Sequence, residues 1–207
     1  MTILKMYPTS INARYMELVE NALRDGELIV YPTDTLYAVG CNALNNGAIE
    51  RICQLKGLNP QKTNLSIICC DISQASEYVK IDNRAFRIIK EALPGPFTFI
   101  LPASTSLPKV FKGRKVVGLR IPDNPIALDI ARRLGNPILT TSVVSEGEDM
   151  SDIDIADPEA LAMKYEDTVS LLIDGGEGGY EPSTVVDLTD SSNPVIVRQG
   201  LGIIEFD

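Results

Sequence analysis

Eight short apolar runs rich in β-formers punctuate the chain, at residues 27–31, 65–70, 97–101, 116–121, 137–142, 169–173, 184–188 and 194–198. Segments with helical spacing lie between most of them. That interleaving restricts the chain to an α/β fold, a sheet flanked by helices. The runs 184–188 and 194–198 are joined by a short turn, which makes the sheet mixed and not purely parallel. No internal repeat or linker interrupts the pattern, and 207 residues are enough for one domain with a substantial core, spanning 1–207.

The helical segments carry their own punctuation. Ser10 is expected to cap a helix that turns Ile11, Tyr15, Leu18, Val19 and Ala22 inward and stops at Gly26. Residues 46–56 read as a helix with Ile49, Ile52 and Cys53 inward and Lys56 at its end. Asp82 is placed to cap a helix presenting Ala85, Phe86, Ile89 and Leu93. From Asn124 to Leu134 a helix begins near a proline and ends at Gly135. Residues 158–165 form a further short helix, and the acidic stretch 145–158 reads as a mobile loop.

Several function classes are excluded by what is missing. The chain has no histidine, so it contains no Ser-His or Cys-His nucleophile pair and no His-based metal site. Acid–base work falls to Asp, Glu, Lys, Tyr or the substrate. The four cysteines have no C-x-x-C spacing and read as reduced packing residues of a cytoplasmic protein. No apolar run reaches the length of a membrane span, and the first residues lack the apolar stretch of a signal peptide. A net charge of −9 opposes non-specific nucleic-acid binding by the molecule as a whole, while leaving room for a local basic face.

Residues 27–40, ELIVYPTDTLYAVG, form the organising stretch. Pro32 cannot donate to a ladder and ends the first run, after which Thr33, Asp34, Thr35 and Tyr37 crowd polar groups at a strand's carboxyl end. Ligands of open α/β sheets bind at such ends, although Pro, Thr and Asp are also ordinary turn residues.

YPTDTLYAVG resembles the signature of the YrdC/YciO family, and LPGPFTFIL, GLRIPDNPIA, ILTTS, LLIDGG, STVVDL and VRQGLG follow in family order. The resemblance implies a twisted mixed sheet with a wide concave cleft. It also implies chemistry related to the synthesis of threonylcarbamoyl-adenylate for tRNA modification, with ATP, threonine and bicarbonate as substrates. Magnesium would arrive with ATP, and no tightly bound metal is implied. By position, Lys56, Ser142 and Arg198 match nucleotide- or phosphate-facing residues, and Thr33, Thr35, Arg120 and Ser183 match residues around threonine. No residue is assigned as catalytic. Acyl-adenylate formation is consistent with such a set. A carboxylate attacks the α-phosphate, pyrophosphate leaves, and positioned cations stabilise the charge that builds on phosphate oxygens.

Two positions depart from the synthases, which resemble K-G-R followed by S-x-N. Leu58 stands for the arginine and Val144 for the asparagine, a pattern similar to the YciO branch. A histidine common in the family is absent too. These changes imply weak or no synthase activity unless another cation, such as Lys62, compensates. The alternative function is double-stranded RNA or tRNA binding in a translation-associated protein. Its support is residues 109–120, where Lys109, Lys112, Arg114, Lys115 and Arg120 occur without an acid. Residues 146–167, by contrast, carry nine acids and one lysine.

Overall fold

A computed structural model of the chain describes residues 1–59, 63, 65–108, 115–144 and 152–206. In chain order its elements are β1 (Thr2–Lys5), α1 (Ala13–Arg24), β2 (Ile29–Tyr31), β3 (Ala38–Asn42), α2 (Asn46–Leu55), β4 (Ser66–Ile68), α3 (Ile72–Tyr78), α4 (Asn83–Ala92) and β5 (Phe97–Pro102). They continue with β6 (Val116–Arg120), α5 (Pro125–Leu134), β7 (Ile138–Ser142), α6 (Asp152–Ala156), α7 (Pro158–Tyr165), β8 (Leu171–Asp174), β9 (Thr184–Asp187) and β10 (Val195–Arg198). The strands form one sheet in the order β1-β8-β2-β3-β7-β4-β6-β5-β9-β10. It mixes parallel pairs, such as β4 with β6, and antiparallel pairs, such as β9 with β10.

Period-two alternation sorts the strands' side chains onto two faces. Val30, Ile67, Leu139 and Leu172 join the larger apolar cluster with residues of α2, α3, α4 and α7. Their neighbours Ile29, Tyr31, Ile68, Ile138, Leu171 and Ile173 join a second cluster built with α1 and α5. Cys69 packs in the first cluster and Cys70 against the second, as expected for adjacent residues of an extended chain.

The second cluster reaches Ile68 and Ile138 but includes no residue of β6, β5 or β9. On those strands Val117, Leu119, Phe97, Phe99 and Val186 face the first cluster, so Gly118, Arg120, Thr98 and Val185 face the other way. That side of the sheet is where polar groups collect.

Local chemistry explains where the elements begin and end. Asn12, not Ser10, caps α1: its side-chain oxygen accepts from the amides of Arg14 and Tyr15 at 3.0 and 3.2 Å. Gly26, at φ 81°, ends α1 in a Schellman turn, with the Glu27 amide donating to the Ala22 carbonyl and the Gly26 amide to Leu23. Asp82 caps α4 as expected, with Arg84 and Ala85 as donors. Two expected core residues lie outside: Leu18 is 45% exposed and Phe86 is 42% exposed. The buried stripes are narrower, running through Met16, Val19 and Leu23 in α1 and through Ala85 and Ile89 in α4.

Four elements were not expected from the sequence. β1 pairs with β8, and β3 is held between β2 and β7. The polar helix α3 starts where the Asp71 side chain accepts from the Gln74 amide at 2.7 Å. Residues 152–156 are the helix α6, where a mobile loop was expected.

Candidate functional site

The polar side of the sheet begins with a row of small residues. Ser66 lies opposite Thr140 on one side and Gly118 on the other. A Cβ at Gly118 would come within 2.4 Å of Ser66 Oγ and 2.9 Å of Thr98 Cγ2, so only glycine allows these side chains to approach. Tyr31, fully buried, donates to Thr140 Oγ1 at 2.8 Å, and burial pushes its phenol well above the ordinary range.

Arg120 is two residues beyond Gly118 on the same face. Its Nη2 donates to Asp34 Oδ1 at 3.0 Å and to Thr35 Oγ1 at 2.9 Å. The other Asp34 oxygen accepts from the Asp123 amide at 3.0 Å. Thr33 fixes the loop from within, donating to the Leu36 carbonyl at 2.7 Å and accepting from the Thr35 amide at 3.1 Å. Thr33 and Thr35 share a further hydroxyl contact at 3.1 Å. Arg120 and Asp34 are about nine-tenths buried, and burial lowers the guanidinium's pKa while Asp34 opposes the shift. Arg120 Nε is buried and has no hydrogen-bond partner among the described residues.

On the far side, Ser183 Oγ and Thr98 Oγ1 lie 2.8 Å apart, both buried. Arg198 Nη2 donates to the Ser183 carbonyl at 2.7 Å. A β-bulge brings it there. Ile196 pairs with Val186, but Arg198 pairs with Val185, leaving Val197 as the extra residue. In a regular ladder Arg198 would oppose Thr184, whose neighbour two along, Val186, is in the first cluster. The bulge therefore moves the guanidinium to the polar face, since a one-residue slip exchanges faces. Burial and the Arg120 charge both lower the Arg198 pKa, which places the two guanidiniums in one electrostatic environment.

The glycine-rich turn after β8 closes over the loop that carries Thr35. The Gly179 amide donates to the Thr35 carbonyl at 2.9 Å, and a Cβ at Gly179 would lie 2.4 Å from that oxygen. Tyr37 Oη donates to the Gly176 carbonyl at 2.7 Å and accepts from the Gly175 amide at 3.0 Å.

Lys56 and Ser142 belong to a second group, at the end of β7. Buried Lys56 donates to the Val143 carbonyl at 3.0 Å, and the Tyr165 hydroxyl and Lys164 Nζ reach the same oxygen at 2.7 and 3.1 Å. Ser142 Oγ accepts from the Val144 amide at 3.0 Å. The Val143 amide donates to the Tyr37 carbonyl, which ties this group to the Thr35 loop. Ser142 lies opposite Ala38, while Arg120 is level with Ile68 and Ile138, four residues back along β7. The structure thus brings Thr33, Thr35, Arg120, Ser183 and Arg198 together, and places Lys56 with Ser142 beside them.

The two departures both face the core. Leu58 follows Gly57 (φ 62°) in a Schellman turn that ends α2, its amide donating to the Cys53 carbonyl at 2.8 Å. That position favours an apolar contact with the preceding turn, and Leu58 packs against the first cluster. Val144 packs against the same cluster. Lys115 is exposed and adopts φ 59°. Lys62, Lys109, Lys112 and Arg114 lie outside the described residues.

Ser66, Thr98, Gly118 and Thr140 were not expected in the site, and Asp34 was read as a polar group of the loop without its role as the partner of Arg120. Asp34 had a signal: an arginine ending an apolar run must bury its charge with an acid, and Asp34 lies in the organising stretch. Among the described residues no group of three or more His, Cys, Asp or Glu side chains is placed to hold a metal ion.

The family model Sua5_yciO_yrdC, described as telomere recombination, matches residues 21–200. The chain belongs to the Sua5/YciO/YrdC family. It is 42% identical to a Haemophilus influenzae protein over 199 residues, covering 95% of this chain and 94% of the other. It is 39% identical to Escherichia coli YciO over 202 residues, covering 97% and 96%. The crystal structure of E. coli YciO superposes with a TM-score of 0.90 over 98% of both chains. Pyrococcus abyssi Sua5 in complex with L-threonine gives a TM-score of 0.86 at 30% identity, covering 97% of this chain and 58% of Sua5. The chain is therefore related to the threonylcarbamoyl-AMP synthases. Among the described residues no helix is long and apolar enough to cross a membrane.

Proposed function

We propose that this member of the family binds an amino-acid carboxylate at Arg120 and Arg198, binds the phosphates of MgATP near Lys56 and Ser142, and forms the acyl-adenylate only weakly. The observation that carries the reading is a charge imbalance beside the buried Arg120. Among the described residues Asp34 is the one carboxylate bridged to Arg120, and none is bridged to Arg198. Arg120 Nε is a buried donor without an acceptor among the described residues, and an incoming carboxylate oxygen would supply one. The Thr35, Thr98 and Ser183 hydroxyls around it suit a small hydroxylated amino acid. The complex of the related P. abyssi Sua5 with L-threonine supports that choice.

In the proposed reaction the threonine amine bonds to the bicarbonate carbon and a water leaves, giving a carbamate whose oxygen then bonds to the α-phosphorus of ATP. The bond to the bridging oxygen breaks, and pyrophosphate leaves with the electron pair. Arg120 and Arg198 hold the carboxylate still, and Lys56 offsets charge on the leaving phosphates. Leu58 and Val144 are turned to the core and donate nothing to that charge. Loss of one such donor costs ~10²–10³ in rate. Pyrophosphate release is the direct test. Slow release requiring both threonine and bicarbonate, lost in Arg120→Met, is expected; release independent of threonine sinks the proposal.

A further inference from the structure

Arg198 ends β10, and past the bulge the ladder has a single pair, Arg198 with Val185. β10 borders the sheet, with β9 as its partner. A strand end held so lightly frays readily. Its guanidinium nevertheless meets the Ser183 carbonyl at 2.7 Å.

The four residues after Arg198 fold back over the start of β9. Thr184, the first residue of that strand, is fully buried, and its hydroxyl is used in every direction. It donates to the Gly202 carbonyl at 2.6 Å and accepts from the Gly200 amide at 2.9 Å and from Gln199 Nε2 at 3.3 Å. One proton and two lone pairs are the whole capacity of a hydroxyl. Gln199 Nε2 also donates to the Gly202 and Gly200 carbonyls at 2.7 and 2.9 Å. The Leu201 amide donates to the Pro182 carbonyl at 2.9 Å. A Cβ at Gly200 would lie 2.2 Å from that same oxygen, so the approach requires glycine. Residues 199–202 are thereby seated on 182–184, the stretch that carries Ser183. Holding residues 202–206 in place does not call for these contacts, because Gly202 lies against the Phe97 ring and Ile204 and Phe206 pack on the first cluster. The polar contacts fall instead directly after Arg198.

We propose that Thr184 and Gln199 are positioning residues, a latch that pins the chain just beyond Arg198 and so holds its guanidinium against Ser183, on the face it shares with Arg120. The bulge chooses the face, and the latch keeps the strand end there. That the positioned cation takes an amino-acid carboxylate rests on the function proposed above, whereas the latch rests on this geometry.

The test uses the full chain with Thr184→Val, which keeps the shape and removes the hydroxyl, and Thr184→Ser, which keeps the hydroxyl. Gln199→Met removes the amide at an exposed position. Two readouts are taken: the Arg198 side-chain N–H resonances of the ligand-free protein, identified by their loss in Arg198→Ala, and the calorimetric affinity for L-threonine. In the parent and in Thr184→Ser the Arg198 resonances should be displaced from those of free arginine and protected from exchange. In Thr184→Val, and to a smaller degree in Gln199→Met, they should move to the free position and exchange about tenfold faster. Threonine affinity should fall about tenfold in Thr184→Val and stay within about threefold of the parent in Thr184→Ser. Unchanged Arg198 resonances in Thr184→Val overturn the proposal even where the melting temperature drops, because a merely structural clamp costs stability without moving the guanidinium. A Thr184→Ser chain that behaves like Thr184→Val overturns it as well. Should Thr184→Val fail to fold, the same resonances in Gln199→Met decide. If the resonances move as expected but the parent binds no threonine, the latch stands and the threonine reading falls.

Discussion

Arg120 meets Asp34 at 3.0 Å with one nitrogen and leaves another nitrogen, Nε, buried without a partner among the described residues. The pair is neutral as a unit but keeps an unused donor, so it can take up a ligand oxygen without first breaking its own ion pair. Asp34→Ala should remove the counter-charge and cost about 3–5 kcal/mol, the usual penalty for stranding a buried charge. Denaturant melts of Asp34→Ala against Asp34→Ala/Arg120→Met check this. The double variant should recover much of the loss, and a single variant as stable as the parent contradicts it.

The bulge at Val197 makes a second prediction. Deleting Val197 restores a regular ladder in which Arg198 still opposes Val185 and keeps the face it shares with Arg120. Stability should fall little, because β10 is exposed throughout. Threonine binding, read by calorimetry, should therefore persist in the deletion variant and be lost in Arg198→Ala; a deletion variant that binds as poorly as Arg198→Ala contradicts the register.

The third prediction concerns Leu58 and Val144. Writing the synthase residues back, as Leu58→Arg with Val144→Asn, puts polar groups where two side chains pack on the core. We expect a loss on the order of 1–3 kcal/mol, seen as a melting point lower by several degrees, and no large gain in ATP affinity. A tenfold gain in ATP affinity without loss of stability would show that residue 58 can turn outward.

The thiols supply a pH test. Burial pushes Cys41 up to about 12 from the ordinary value and raises Cys69 further. A group raised on folding stabilises the native state fully below its unfolded pKa and loses that contribution as pH rises. Stability should therefore fall between pH ~9 and ~12, and Cys41→Ala should flatten that fall. At pH 8 a thiol reagent should label Cys70, which is partly exposed, before Cys41 or Cys69.

RNA binding, if the basic stretch 109–120 supports it, should depend on Lys112, Arg114 and Lys115. Removing one phosphate-facing cation flattens the plot of log K against log salt by about one unit at most. An unchanged slope in the triple alanine variant would place any RNA site elsewhere.

Eight strands, β2 and β4 to β10, and most helix ends were legible because they are written locally, in β-rich runs, in Asp82 and Asn124 at caps, and in Gly26 and Gly135 at stops. β3 was not, because AVGCN has little strand character of its own and is ordered by ladders on both sides. Within the site, Thr35 and Arg120 could be named but their partner Asp34 could not, since 86 residues separate the acid from the arginine. The face of Arg198 was equally hidden. A period-two reading of VIVR assigns it to the wrong side, and only the bulge reverses the assignment.

β10 pairs with β9 alone, and each of its four residues is exposed. The two guanidiniums of the site are thus held with unequal permanence. Arg120 is fastened in the interior and cannot leave without dismantling the sheet, whereas Arg198 is carried by a short border strand that can fray while the rest stays folded. Replacing the first cation therefore disturbs the interior, whereas replacing the second leaves it intact. Divergence in what such a site accepts is therefore to be sought at the chain's final strand before it is sought in the core.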